Sequence, residues 1–357
     1  MNNKTWVAVL GLILGAALGV ARAEDAAPAS GDAAAAPAAA DPAAPAAEGS
    51  GSAGDDSGAD APAVPVKPRP AEIMGLAAQS MLLDVEKTDD HYVAVGDRGD
   101  IVTSTDGKTW KQVNVPVRAA LTAVSFADPQ HGWAVGHDAT IVVTADGGST
   151  WALQNFKPEL EKPLLDVLAL SNEHVLAVGA YGLFVETSDG GKTWNDVTAP
   201  AVRGDELHLN SITKLGNGDL LIAGEQGMLA LSKDQGKTWN KLKAPYESSL
   251  FGALPRGDKG ALIYGLRGNV FVTGDVAGGK WTTVKTESVA TMFGGTNLKN
   301  GAAALVGLNG VVFLIGGDNS VNLLKSPSGT PLSAALPLGD GLLAVGESGV
   351  QNLSLAQ

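Results

Sequence analysis

The sequence predicts an all-β chain folded as a seven-bladed β-propeller with four-stranded antiparallel blades. Two observations carry that prediction. An apolar strand runs seven times into a glycine turn, at Ala94-Val95-Gly96, Ala134-Val135-Gly136, Ala177-Val178-Gly179, Ile222-Ala223-Gly224, Ile263-Tyr264-Gly265, Leu305-Val306-Gly307 and Ala344-Val345-Gly346. Those glycines recur every 39–45 residues, the length of one blade. Helical repeats of similar period need i, i+3, i+4 apolar spacing, whereas these runs are short, β-branched and cut by Gly, Asp and Pro.

The elements follow in order within each repeat. In the third, Leu164 to Leu170 reads as the inner strand, Val175 to Val178 as the second, Leu183 to Thr187 as the third and Trp194 to Thr198 as the outer one. The turn between strands two and three closes with a second glycine in six repeats, Gly99, Gly182, Gly227, Gly268, Gly310 and Gly349, and with Ala139 in the other. Glycine accepts the positive φ of a tight antiparallel turn without steric cost. The last repeat ends before its outer strand, so Ala71 to Ala77 is expected to supply that strand and close the ring.

What precedes the repeats reads differently. Lys4, the uncharged apolar run Trp6 to Val20 and the small residues of Ala21-Arg22-Ala23 read as a signal peptide over residues 1–23. Residues 24–70 are rich in Ala, Pro, Gly, Ser and acid, with too little apolar surface to offset chain entropy. They read as a disordered acidic linker, leaving residues 71–357 for the propeller. The expected location is periplasmic or secreted. With no cysteine, the fold must rest on its apolar core. A net charge of −13 argues against nucleic acid, which needs a dense basic face.

Between strands three and four a second motif recurs: Thr144-Ala-Asp146-Gly-Gly148-Ser-Thr150-Trp151, Thr187-Ser-Asp189-Gly-Gly191-Lys-Thr193-Trp194 and Ser232-Lys-Asp234-Gln-Gly236-Lys-Thr238-Trp239. A version one residue shorter holds Asp106 and Trp110. A carboxylate can accept N–H and hydroxyl hydrogen bonds across such a turn, and tryptophan can cover the gap between blades. Copies spread around a ring do not point into one site, so a structural role is expected for them.

These residues match the aspartate-box repeat shared by sialidases, sortilin-type receptors and photosystem II stability/assembly factor-like propellers. The fuller pattern, with His131-Gly132-Trp133-Ala134-Val135-Gly136, most resembles the last family. That resemblance implies an assembly scaffold for a membrane complex, with exported relatives accompanying transport systems.

An enzyme of the sialidase type needs three clamping arginines, a tyrosine nucleophile with its glutamate, and an acid. The repeats hold Arg98, Arg118, Arg203, Arg256 and Arg267, and Tyr92 and Tyr264 fall inside second strands. The five histidines lie in different loops without metal-ligand spacing. No catalytic residue, metal or cofactor is therefore expected; a sialidase-like hydrolase or a glycan-binding propeller is the alternative. The expected working surface is the face bearing the two–three turns and the blade-to-blade links, with Arg98, Arg118, His137, Asp138, Tyr181, Arg203, Glu225 and Arg267 as candidate partner-binding residues. The expected partner is an envelope or membrane protein, a transporter or membrane complex, bound by a monomer. Third positions of the inner strands, Asp84, Ala123, Asp166, Ser211, Gly252, Thr291 and Ala334, are small or polar, as suits a water-filled channel with solvated aspartates.

Overall fold

The computed structural model describes residues 66–355. The expected signal peptide and the linker as far as residue 65 lie outside them. Six four-stranded antiparallel sheets and one three-stranded sheet succeed one another, their strands joined in sequence order, as the seven blades of a propeller. Blade three runs Leu164–Ala169, Val175–Gly179, Phe184–Thr187 and Asn195–Asp196, the expected order with a shorter outer strand.

The core is a set of seams between blades. Each second strand is buried on both faces, and the two-residue alternation of a strand divides its side chains between two neighbours. Val93 and Val95 of blade one thus pack against Val124 and Ala134 of blade two. Tyr92 and Ala94 point the other way, towards Leu343 and Val345 of blade seven. The aspartate-box tryptophans complete the seams with the preceding blade: Trp151 joins Val93 and Val95, and Trp239 joins Leu176 and Phe184.

Closure of the ring departs from expectation. Blade seven has three strands, Leu332–Leu338, Gly341–Gly346 and Gly349–Ser354, and Ala71 to Ala77 adds no fourth. That segment starts along the outer edge of blade one instead. There the Ala71 N–H donates to Val115 O at 3.0 Å and the Met74 N–H to Gln112 Oε1 at 2.6 Å. Blade one holds Glu72 as well, through Gln112 Nε2 at 3.0 Å and Arg118 at 2.8 Å. Further along the segment, Ala78 O lies beside Gly349 as Val117 O lies beside Gly99. The last seam is closed by side chains, with Ala77, Leu82 and Val85 against Leu343 and Val345.

Candidate functional site

In six blades the two–three turn has one geometry. Asp100 N–H donates to Asp97 O at 2.8 Å, and the two residues between them, Arg98 and Gly99, are left-handed with φ of 55° and 73°. Asp138, Tyr181, Gln226, Arg267 and Asn309 repeat the position of Arg98, with φ between 50° and 59°. The first glycine of each turn is needed for space: a Cβ on Gly96 would sit 2.3 Å from Met81 O. Blade seven differs, since Gly346 pairs directly with Gly349 across Glu347 and Ser348.

Each turn is tied to the link that enters its own blade. The N–H groups of Asp97, His137, Ala180 and Glu225 donate to Met81, Ala120, Pro163 and His208 carbonyls at 2.9–3.0 Å. The turns and links therefore share one face. The aspartate boxes lie on the other, beside the one–two turns, where Gly147 N–H donates to Gln130 O at 2.9 Å.

The candidate residues on the link face separate into three groups. Arg98, Tyr181 and Arg267 are exposed turn tips. Tyr181 is 46% exposed and stands edge-on to His208 at 4.8 Å, with the Lys162 ammonium 6.0 Å from its ring. Asp138 shares their backbone position but is half-buried, which raises its carboxyl above the usual range. His137 and Glu225 are first turn residues and turn inward; burial lowers the His137 pKa, and Glu225 accepts the His208 N–H at 3.2 Å. Arg118 and Arg203 serve the links themselves. Arg118 pairs with Glu72, while Arg203 donates to Gly182 O, Val197 O and Asp196 at 2.7–3.2 Å. The expected binding residues do not include Gln226 and Asn309, which share the exposed tip position, or the link residues Val289, 82% exposed, and Leu160, 40% exposed. An apolar residue in a link, away from any strand alternation, is the signal that marks them.

On the opposite face the box aspartates bond within their own turns. Asp146 Oδ1 accepts from Thr144 Oγ1 at 2.8 Å and Thr150 N–H at 2.9 Å, and Oδ2 accepts from Thr150 Oγ1 at 2.6 Å. Asp189 and Asp234 repeat the pattern, and Asp106 accepts the Lys108 and Thr109 N–H groups at 2.7 Å. The Thr109 N–H and the Thr193 hydroxyl, with their neighbours, hold Asp106 and Asp189 down at about 2. Trp151 and Trp239 cap their own boxes by donating to Gly148 O and Gly236 O at 3.0 and 2.9 Å. Trp194 donates to Gln154 at 3.2 Å, and Trp110 lies 6.5 Å from the Tyr92 ring. His91 joins blade one to the next box through Gly147 O, and His131 pairs with Asp128 at 2.9 Å.

In the channel, the third inner-strand position of blade six is Gly294, which pairs with Val306; Thr291 precedes that strand. Every inner strand carries a bulge at its second residue, and that irregularity hides the register.

Comparison with known proteins agrees with this architecture. The family model described as photosynthesis system II assembly factor YCF48 matches residues 102–161 and 152–317, more than half of the chain. Over 50 residues the chain is 40% identical to the photosystem II assembly protein Ycf48 of Thermosynechococcus vestitus, a match covering 14% of either chain. Over 73 residues it is 33% identical to the photosystem II assembly lipoprotein Ycf48 of Trichormus variabilis, covering 20% of this chain and 22% of that one. The aligned segments thus span about a seventh to a fifth of those relatives. A solved YCF48 bound to a D1 peptide superposes with a TM-score of 0.64 at 18% identity, covering 83% of this chain and 99% of that one. YCF48 from Cyanidioschyzon merolae gives 0.62 at 16% identity, over 77% and 96%. At such identities the structural likeness is one of fold. On the extent of the family match, the chain belongs to the photosynthesis system II assembly factor YCF48 family of β-propellers.

Proposed function

We propose that this protein is an exported, non-catalytic platform whose link face holds a segment of a membrane protein while an envelope complex is assembled. One observation carries the reading: Arg98, Tyr181 and Arg267 stand exposed on a single face, each held in a left-handed backbone conformation that an arginine or tyrosine adopts only at a cost. Arginine and tyrosine are the side chains that most often dominate interfaces, and the exposed Val289 and Leu160 add apolar surface beside them. The solved relative that carries a D1 peptide supports a peptide as the form in which a partner is held. Nothing in the comparisons favours a transport system over another membrane complex.

The aspartates that look catalytic in sequence spend their acceptors on their own turns. Arginines that a sialic-acid site would need to converge are instead engaged at separate places, Arg203 on Val197 O and Arg256 on Gly317 O. The test is co-purification from the cell envelope with the wild type and with the triple variant Arg98→Gly, Tyr181→Gly, Arg267→Gly. Glycine suits the backbone there, so the variant should melt no lower than the wild type while losing its membrane-protein partner. Equal capture by both proteins would reject the link face as the docking surface.

A further inference from the structure

Blade seven leaves open a place that the other blades fill. Its sheet ends at Gly349–Ser354, with no outer strand among the described residues, while the other six sheets each carry one. The ladder shows which groups lie along this edge. Ile101, Phe184 and Leu229 pair inward with Val95, Val178 and Ala223, and their carbonyls face outward, accepting the N–H groups of Val113, Val197 and Leu242 at 2.7–3.0 Å. Val350 pairs with Val345 at the same point of the ladder. Its carbonyl therefore faces outward, as do the N–H and C=O of Asn352 two residues on.

Nothing in this strand guards the edge. Natural edges are commonly blunted by short strands, charges or proline. Gly349–Ser354 has six residues, where the third strands of the other blades have four or five, and it carries neither a charge nor a proline.

Two side-chain positions are open as well. In five blades the outer residue opposite this third-strand position is apolar: Val113, Val197, Leu242, Val284 and Leu324, each packed into the seam with the following blade. Among the described residues no outer strand faces Val350, and Leu76, which precedes Ala77 of that seam, is 65% exposed. The residue before the apolar one is polar in four blades: Gln112, Asp196, Lys241 and Thr283 face Val102, Val185, Ala230 and Phe271. Gln351 holds the facing position in blade seven. Its Oε1 accepts from the Ser326 and Ser328 hydroxyls at 2.6 and 2.8 Å, while its Nε2 is buried without an acceptor among the described residues. Buried donors are seldom left unpaired, so this amide calls for an acceptor on a neighbouring strand.

We propose that blade seven takes its fourth strand from another protein: an extended segment adds antiparallel to Gly349–Ser354, with a polar side chain over Gln351 followed by valine or leucine opposite Val350. Backbone hydrogen bonds to Val350 and Asn352 hold the segment and the two side chains select it, the usual division of labour in strand addition. The site is separate from the link-face tips. A second copy does not supply the same groups, because two such edges paired over their length set Val350 opposite Asn352 or Ser354, both polar. Residues 24–65 hold one large apolar residue, Val64. Its neighbour Ala63 has no polar group for Gln351, and Pro62, which would face Asn352, has no N–H to donate.

The test uses a fluorescently labelled peptide with the sequence of residues 192–199, the outer strand of blade three, in which Asp196 and Val197 are the polar and apolar pair. Anisotropy titration with the purified chain should show one saturable site. Methylating the peptide nitrogen at the position of Val197 removes the N–H that reaches Val350 O and should weaken binding about tenfold. Asn352→Pro in the chain should abolish binding and leave the fold cooperative in thermal unfolding, since proline is tolerated where an edge N–H faces outward. Absence of saturable binding to the wild type, or equal affinity for the methylated peptide, overturns the proposal. So does a wild-type dimer in sedimentation that Asn352→Pro dissociates, which would give the edge to a second copy.

Discussion

At the scale of single residues, the turn tips set local stability against surface chemistry. A left-handed backbone costs an L-residue roughly 1–2 kcal/mol, and glycine escapes that cost. Gln226, at φ 50° and exposed, makes no side-chain hydrogen bond among the described residues, so Gln226→Gly should stabilise the protein by about 0.5–1 kcal/mol in urea unfolding. A loss of stability would mean that the side chain contributes to the fold. The reverse change fails for two reasons at Gly99, where φ is 73° and a Cβ would lie 2.2 Å from Val117 O; Gly99→Ala should cost about 1–3 kcal/mol. Only part of this was legible beforehand. The repeated glycines mark the turns, because each performs the same conformational task in every blade. Which of the two intervening residues faces solvent depends on backbone handedness. Ala180 and Leu266 are buried while their neighbours Tyr181 and Arg267 are exposed, and no periodicity distinguishes the members of such a pair.

Among the elements, the blade seams carry the apolar stabilisation. Trp151 is 8% exposed and meets Phe126 edge-on at 6.4 Å within the seam of blades one and two. Trp151→Ala should therefore cost about 3–5 kcal/mol in chemical unfolding, the usual penalty for emptying a packed aromatic site. A cost below 1 kcal/mol would show that the box tryptophan merely covers the surface. The N-terminal segment divides at Gly75. Residues 71–74 add backbone hydrogen bonds along the edge of blade one, so removing everything before Gly75 should cost only about 1–2 kcal/mol. Deleting through Gln79 should cost distinctly more, because Ala77 lies within the last seam. Blade number and strand order followed from repetition; the path of this segment did not. It is set by the side-chain contacts of Glu72 with Gln112 and Arg118, and contacts made once leave no periodic trace.

The molecule as a whole combines two opposed sets of carboxyls, and its stability should have a maximum between them. In the channel, burial raises Asp84 to about 6, Asp166 to about 7 and Glu86 to about 8, from ordinary values of 3.8 and 4.5. Between about pH 4 and 8 the folded chain then binds more protons than the unfolded one, so stability falls as pH rises through that window. On the box face, hydrogen bonds lower Asp106 and Asp189 to about 2. Those groups favour folding above the unfolded carboxyl range, and their contribution is lost as pH drops from about 4 towards 2. Melting temperatures should therefore peak near pH 4–5 and decline on both sides. Glu86→Gln separates the limbs. Its amide oxygen still accepts the Phe126 N–H, but the group no longer titrates, so the decline between about pH 7 and 8 should flatten while the acid limb stays unchanged. A profile that Glu86→Gln leaves untouched on the alkaline side would show that Glu86 is not the carboxyl responsible for that decline.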